Sequence, residues 1–328
     1  MRQFRIWPTA VFIAALALGI LTAPLAAHGQ QAEKVPRIGV VLHGGPYYAV
    51  LDGLRDGLRA VGLEDGQRVA LVVRDAKGDL KAAEAAAHAL EQERVSLIVS
   101  ITTSVSLAVK RATAQVPIVF VAGTDPVAAG LVQSIAKPGG RLTGVHFLST
   151  DLTAKRLEIL KELLPRLRRV ITFYNPNNSG AQVAARSAGQ TLRVEVVERP
   201  VPSVEALRAA VRGLTAEQGD AYFFLADAMV ISQAQLIIDA ATALRLPTMA
   251  QDPELARKGV LVCYGVSYRE VGREAATYVQ RILAGTSPRD LPVQGVDRLA
   301  LVVNFKTAKA LGITVSQSIL VRVDQAIQ

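Results

Sequence analysis

Three adjacent hydroxyl residues, Thr102-Thr103-Ser104, follow the short apolar run from Leu97 to Ser100 and open a predicted helix from Ser104 to Ala114. A helix start leaves backbone N–H groups without partners and carries partial positive charge, so this segment can receive a carboxylate or a phosphate. Ordinary helix capping uses the same residue types. Tyr47 and Tyr48 end the glycine-bearing loop that begins at His43, where an aromatic ring can cover a flat ligand or simply occupy a surface turn. Asp125 and Asp227 each follow a predicted strand, and either can face a ligand ammonium or cap a helix. Tyr264, at a strand end, and Ser267, in the loop after it, complete the candidate ligand-binding residues.

No catalytic constellation accompanies them. The chain has no GxSxG elbow, no phosphate loop ending in Gly-Lys-Ser or Gly-Lys-Thr, no GxGxxG, no HExxH and no CxxC. His43 and His146 fall near the expected cleft and His88 on a helix away from it, none with a carboxylate at telling spacing. No catalytic residue, metal site or cofactor is therefore expected, and the chain does not read as an enzyme. The one cysteine, Cys263, lies in the apolar run Val260 to Tyr264 and is expected to be a buried structural thiol.

The elements that must position these residues begin after a leader. Arg2 and Arg5 precede the apolar stretch Val11 to Leu21, and Ala27 and Gly29 are small residues ahead of Gln30. This is the pattern of a cleaved signal peptide over residues 1–29, with an apolar core far short of the roughly 20 residues that span a bilayer. An exported, soluble protein starting near Gln30 is expected. The formal charge of +9 comes from scattered Lys and Arg with no basic, aromatic-interleaved run, which argues against nucleic-acid binding.

The remaining length exceeds what one core usually organises, so two domains are expected. Apolar runs at Arg37 to Leu42, Val69 to Val73, Leu97 to Ser100 and Ile118 to Val121 alternate with helical stretches at Leu51 to Val61, Leu80 to Gln92 and Ser104 to Ala114. A second such series has strands at Val170 to Tyr174, Val194 to Glu198, Ala221 to Leu225, Thr248 to Ala250 and Val260 to Tyr264. Its helices are expected from Thr153, Ala181, Val204, Ser232 and Pro253; Asp151 is a plausible N-cap here, as Asp79 is for the first-series helix from Leu80. This alternation predicts an α/β fold of two lobes, each a parallel sheet flanked by helices, with the ligand cleft beyond the carboxyl ends of the strands.

Several stretches resemble the ABC-transporter substrate-binding family whose best-known members take up tryptophan or tyrosine. They are Pro117 to Val121, Asp125 to Val132, Pro138-Gly139-Gly140 with Thr143-Gly144, Tyr264-Gly265, Arg273 to Ala276, Leu291 to Gln294 and Leu301 to Gly312. The resemblance implies a type I periplasmic-binding fold with crossovers near Val145, Val266 and Val296. Lobe 1 is then 35–145 plus about 267–296, and lobe 2 is 146–266 plus about 297–328. It carries the family's cleft residues onto Thr102, Thr103, Ser104, Asp125, Asn175 of Asn175-Pro176, and Asp227. The loop His43 to Tyr48 departs from the family sequence, and Arg141 stands where the family often has Asn.

The function so implied is extracytoplasmic binding of a small carboxylate-bearing solute, such as an amino acid, by hinge closure. The expected protein is a periplasmic monomer whose partners are that ligand and ABC permease subunits of the inner membrane. Two alternatives remain open: a ligand-sensing module for a membrane receptor, and an enzyme on a similar scaffold, which would need a base or nucleophile in the cleft.

Overall fold

The computed structural model describes residues 35–177 and 180–328. The expected signal peptide and its cleavage point lie outside the described residues. Val35–Gln328 forms one compact unit containing two sheets.

The first sheet has six parallel strands in the order β11-β5-β4-β3-β1-β2: β1 (Arg37–Leu42), β2 (Ala70–Asp75), β3 (Leu97–Ile101), β4 (Ile118–Ala122), β5 (Leu142–His146) and β11 (Gln294–Gly295). Strands β3 and β4 are buried at every residue, which is why their sequences are apolar without alternation. Helices α1 (Tyr48–Ala60), α2 (Leu80–Gln92), α3 (Thr103–Ala112) and α9 (Tyr268–Leu283) belong to this half. Asp79 caps α2, its carboxylate accepting from the Lys81 N–H at 2.8 Å.

The second sheet runs β13-β12-β10-β9-β8-β6-β7: β6 (Arg169–Tyr174), β7 (Glu195–Pro200), β8 (Ala221–Phe223), β9 (Thr248–Ala250), β10 (Val262–Val266), β12 (Leu299–Asn304) and β13 (Gln325–Ile327). Only the β10–β12 pairing is antiparallel among those described. Helices α4 (Thr153–Leu163), α5 (Gly180–Leu192), α6 (Val204–Arg212), α7 (Ala228–Ser232), α8 (Ala234–Ala243), α10 (Phe305–Leu311) and α11 (Gln317–Leu320) complete it. Cys263 is buried in β10.

The chain passes between the sheets three times: from β5 to α4, from β10 to α9, and from β11 to β12. Helix α9, which follows a strand of the second sheet, packs along α1 of the first. Glycines make that approach possible. A Cβ on Gly53 would fall on the Arg269 carbonyl, and one on Gly272 on the Val50 carbonyl. Gly272→Ala is therefore expected to lower stability by about 1–3 kcal/mol through overpacking. Urea denaturation checks this, and an unchanged midpoint would show that the helices can part without cost.

The structure corrects some local readings. Leu142 to Gly144, read as loop, is strand β5, whose partner β4 buries it. Asp151 does not cap α4; Leu152 occupies the cap position without a side-chain bond, and the Thr153 hydroxyl donates instead to the Thr150 carbonyl. Pro253–Lys258 is a 3₁₀ helix capped by Asp252.

Candidate functional site

The carboxyl ends of β3, β4, β8 and β9 converge on a cavity of about 280 Å³ between the two sheets. The first half contributes Tyr47, Val50, the stretch Ile101 to Ser104, Leu107, Val121, Gly123, Thr124 and Ala129. The second half contributes Asn177, Ala226, Ala228 and Gln251, while Phe147, Ser149 and Tyr268 come from segments passing between the sheets. Among the described lining residues there is no Asp, Glu, Lys, Arg or His. The polar equipment is hydroxyl, amide and the start of α3.

That helix start is tightly organised. Thr102 is the N-cap, its hydroxyl accepting from the Val105 N–H at 3.3 Å. Its φ of +92° is foreign to a β-branched residue and costs about 1–3 kcal/mol, held by the surrounding structure. The Ser106 hydroxyl pins the Thr102 carbonyl at 2.7 Å. Thr103 Oγ1 lies 3.0 Å from Thr124 Oγ1 and accepts from the Gly123 N–H. Ser104 Oγ lies 3.3 Å from Thr102 Oγ1 and 3.2 Å from His43 Nε2.

His43 supplies no charge here. Burial lowers its pKa from 6.5 to about 4 against the raising influence of Asp75 and Asp79, so it is neutral at pH 7. The folded state thus resists a proton that the unfolded chain takes up readily. Stability is complete above pH 6.5 and falls by up to about 3 kcal/mol as the pH drops toward 4. His43→Gln is expected to flatten this slope, read by denaturation at a series of pH values. Equal slopes in both proteins would remove His43 from the account.

An aromatic wall faces the helix start. Tyr47 and Tyr268 stack with ring centroids 5.4 Å apart and planes 14° from parallel, and Phe147 tilts against Tyr268 at 5.7 Å. Such surfaces suit a flat or apolar ligand body. Burial holds both phenols protonated, their pKa values raised well above the ordinary range. Gln251 is 3% exposed; its amide N–H donates weakly to the Leu225 carbonyl, and its Oε1 has no partner among the described residues.

Of the residues singled out from sequence, Tyr47, Thr102, Thr103 and Ser104 are brought together on this cavity, and six are not among its lining. Tyr48 is exposed and donates to Asp75 Oδ2 at 3.0 Å. Asp125 is exposed and closes its own turn, accepting from the Val127 and Ala128 N–H groups. Asp227 is buried, caps α7 through the Val230 N–H and accepts from the Asn175 N–H at 2.8 Å. Asn175 accepts from the Asn177 N–H, holding the loop that presents Asn177. Tyr264 packs in the second sheet's core while its carbonyl accepts from Arg156 Nε, and Ser267 caps α9.

Phe147, Gln251 and Tyr268 were not anticipated. Tyr268 ends the loop that begins at Gly265, a carboxyl-end loop readable from sequence. Phe147 and Gln251 carry no distinguishing motif. Among the described residues no group of three His, Cys, Asp or Glu could hold a metal ion. No helix among them is long and apolar enough to cross a membrane.

Residues 37–327 match the family described as ABC transporter substrate binding protein. The chain belongs to that family. Relatives include the tyrosine-binding protein of Clostridioides difficile (strain R20291), 28% identical over 263 residues that cover 79% of this chain and 75% of the relative. The structure of an ABC domain from Streptococcus pneumonia in complex with L-Trp is 25% identical with a TM-score of 0.79, covering 89% of this chain and 99% of the other. The ligand-free, open structure of a substrate binding protein with adhesive properties from Clostridium difficile is 27% identical with a TM-score of 0.59, covering 90% and 100%. These two solved structures share the α/β fold of this chain.

Proposed function

We propose that the protein is the extracytoplasmic solute-binding component of an ABC importer. In this reading it holds a small carboxylate-bearing solute, such as an amino acid, in the cavity between the sheets. The observation that carries this is the strained start of α3 at a cavity between the sheets that is also lined by aromatic rings. Unpaired N–H groups and the hydroxyls of Thr103 and Ser104 take the carboxylate. Tyr47, Tyr268 and Phe147 cover the body, and Asn177 and Gln251 complete the polar contacts from the second half.

Closure is part of the same reading. The moving lobes are residues 35–145 plus about 267–296, and 146–266 plus about 297–328. Two glycines of the first half touch the second: a Cβ on Gly45 would fall on the Ser232 carbonyl, and one on Gly78 would meet Val204 and Ser232. The higher TM-score to the L-Trp complex than to the ligand-free, open structure, at similar identity, supports a closed arrangement. A solute touching both lobes binds the closed state better and so populates it for the permease.

The names of the tyrosine- and tryptophan-bound relatives make aromatic amino acids the first solutes to try. Protein stripped of carried-over solute by unfolding and refolding is screened against amino acids, their amides and related carboxylic acids by thermal shift. A true solute raises the melting temperature by mass action. Stabilisation by amides equal to that by acids would overturn the role given to the helix start, and turnover of a stabilising compound would favour an enzyme.

A further inference from the structure

A second cavity, of about 250 Å³, lies behind the first, and all three segments that pass between the sheets line it: His146 to Leu152, Val266 to Tyr268 and Gly295 to Leu299. Phe147, Ser149, Gln251 and Tyr268 line both cavities, so they form the wall between them. The body of this second space is apolar, faced by Leu148, Leu152, Val266, Val296 and Leu299.

Among the described residues, one cation lines that apolar space. Arg156 is 1% exposed, and its guanidinium donates from Nε to the Tyr264 carbonyl at 2.7 Å, from Nη1 to the Ser149 carbonyl at 2.7 Å and from Nη2 to Ser149 Oγ at 3.2 Å. All three partners are neutral. A buried charge without an opposite charge is costly, and burial indeed lowers the Arg156 pKa to about 10. A guanidinium carries five N–H donors, so one on each Nη remains for another acceptor. Asp151 and Asp297 also line the cavity, both exposed, and neither hydrogen-bonds Arg156.

We propose that this hinge cavity is a second binding site, taking a small apolar molecule with a single carboxylate directed at Arg156, and that its occupancy biases closure. The apolar walls accept the body, the guanidinium supplies the missing charge pairing, and the two aspartates disfavour a second negative group. Because every segment between the lobes contributes to its wall, rotation of the lobes reshapes the cavity. An occupant therefore binds one arrangement more tightly than the other and shifts the equilibrium toward it. The shared wall of Phe147, Gln251 and Tyr268 couples it to the solute cavity.

The test uses 4-fluorobenzoate and uncharged 4-fluorobenzyl alcohol as probes, followed by fluorine NMR on the full chain stripped of solute. The expected result is saturable benzoate binding, with the alcohol at least about tenfold weaker. Arg156→Met is expected to weaken benzoate by about tenfold to a hundredfold, Val296→Trp to abolish binding by filling the cavity, and Thr103→Ala to leave it intact. If Arg156→Met does not fold, Val296→Trp and the alcohol carry the test. Absence of benzoate binding at millimolar probe overturns the proposal, as does binding that survives Val296→Trp or is lost in Thr103→Ala. Binding without any change in radius of gyration by X-ray scattering overturns the bias on closure. None of these readouts depends on transport, so the importer reading can fail while this one stands.

Discussion

Thr103→Ala weakens solute binding by about tenfold to a hundredfold while leaving the fold in place. The hydroxyl stands at the first residue of α3, 3.0 Å from Thr124 Oγ1, where it lines the cavity and accepts from the Gly123 N–H. Removing it deletes one charge-assisted hydrogen bond to a carboxylate, worth about 1.5–3 kcal/mol. It also frees Thr124 and Gly123, which remain near the cavity and can turn to the solute or to water. Stability changes little because Thr103 is only half-buried and the cap itself belongs to Thr102. Calorimetry on stripped protein measures the loss. Residues 35–328 contain no tryptophan, so a tryptophan-like solute would also report its own capture by fluorescence. Wild-type affinity in both Thr103→Ala and Ser104→Ala would remove the helix start from the site.

Gly45→Val has the larger expected effect, at least about a hundredfold in affinity, without touching the solute. Gly45 has φ of +59°, which a valine adopts only with strain, and its Cβ would fall on the Ser232 carbonyl across the cleft. The side chain wedges the two halves apart where Gly45 meets Ser232. A protein whose closed state is about a hundredfold less populated binds its solute about a hundredfold more weakly, because only the closed state makes both sets of contacts. Scattering of the variant at solute concentrations that saturate wild type should retain the larger radius of gyration of the open form. An affinity within about twofold of wild type would mean that the Gly45–Ser232 contact is incidental to binding.

Much of the fold is legible in the sequence because parallel strands buried on both faces write themselves as apolar runs. Strands β1, β3 and β4 are of this kind, and Asp79 announces α2 by its capping chemistry. Strand β5 was hidden because Leu142-Thr143-Gly144 includes a polar residue and a glycine. In the fold the Thr143 hydroxyl is satisfied by the Leu291 carbonyl at 2.6 Å, and Gly144 lies so close to Phe120 that a Cβ would fall on its carbonyl. Helix α9 carried a readable signal, Val271, Ala275, Ala276 and Val279 at helical spacing, yet its partner α1 lies more than two hundred positions earlier in the chain and no local pattern names it.

The cavity follows the same division. Thr102, Thr103 and Ser104 are readable because hydroxyl residues at a strand-to-helix turn are either caps or ligands, and here Thr102 caps while all three line the cavity. Asp125 and Asp227 show the ambiguity from its other side. Their oxygens receive backbone N–H groups of their own turns, an outcome that spacing alone does not separate from ligand binding. Phe147, Gln251 and Tyr268 reach the site from a crossing, a strand end and a helix start in different parts of the chain. Only the assembled fold brings them together.

The most direct test of the account is small-angle X-ray scattering of stripped protein before and after adding back the solute released from it, identified by mass spectrometry. The account predicts an open protein that contracts on reloading to the radius of gyration of residues 35–328 in the structure described above, with no contraction in Gly45→Val. Identical curves with and without saturating solute would contradict closure as the means of capture.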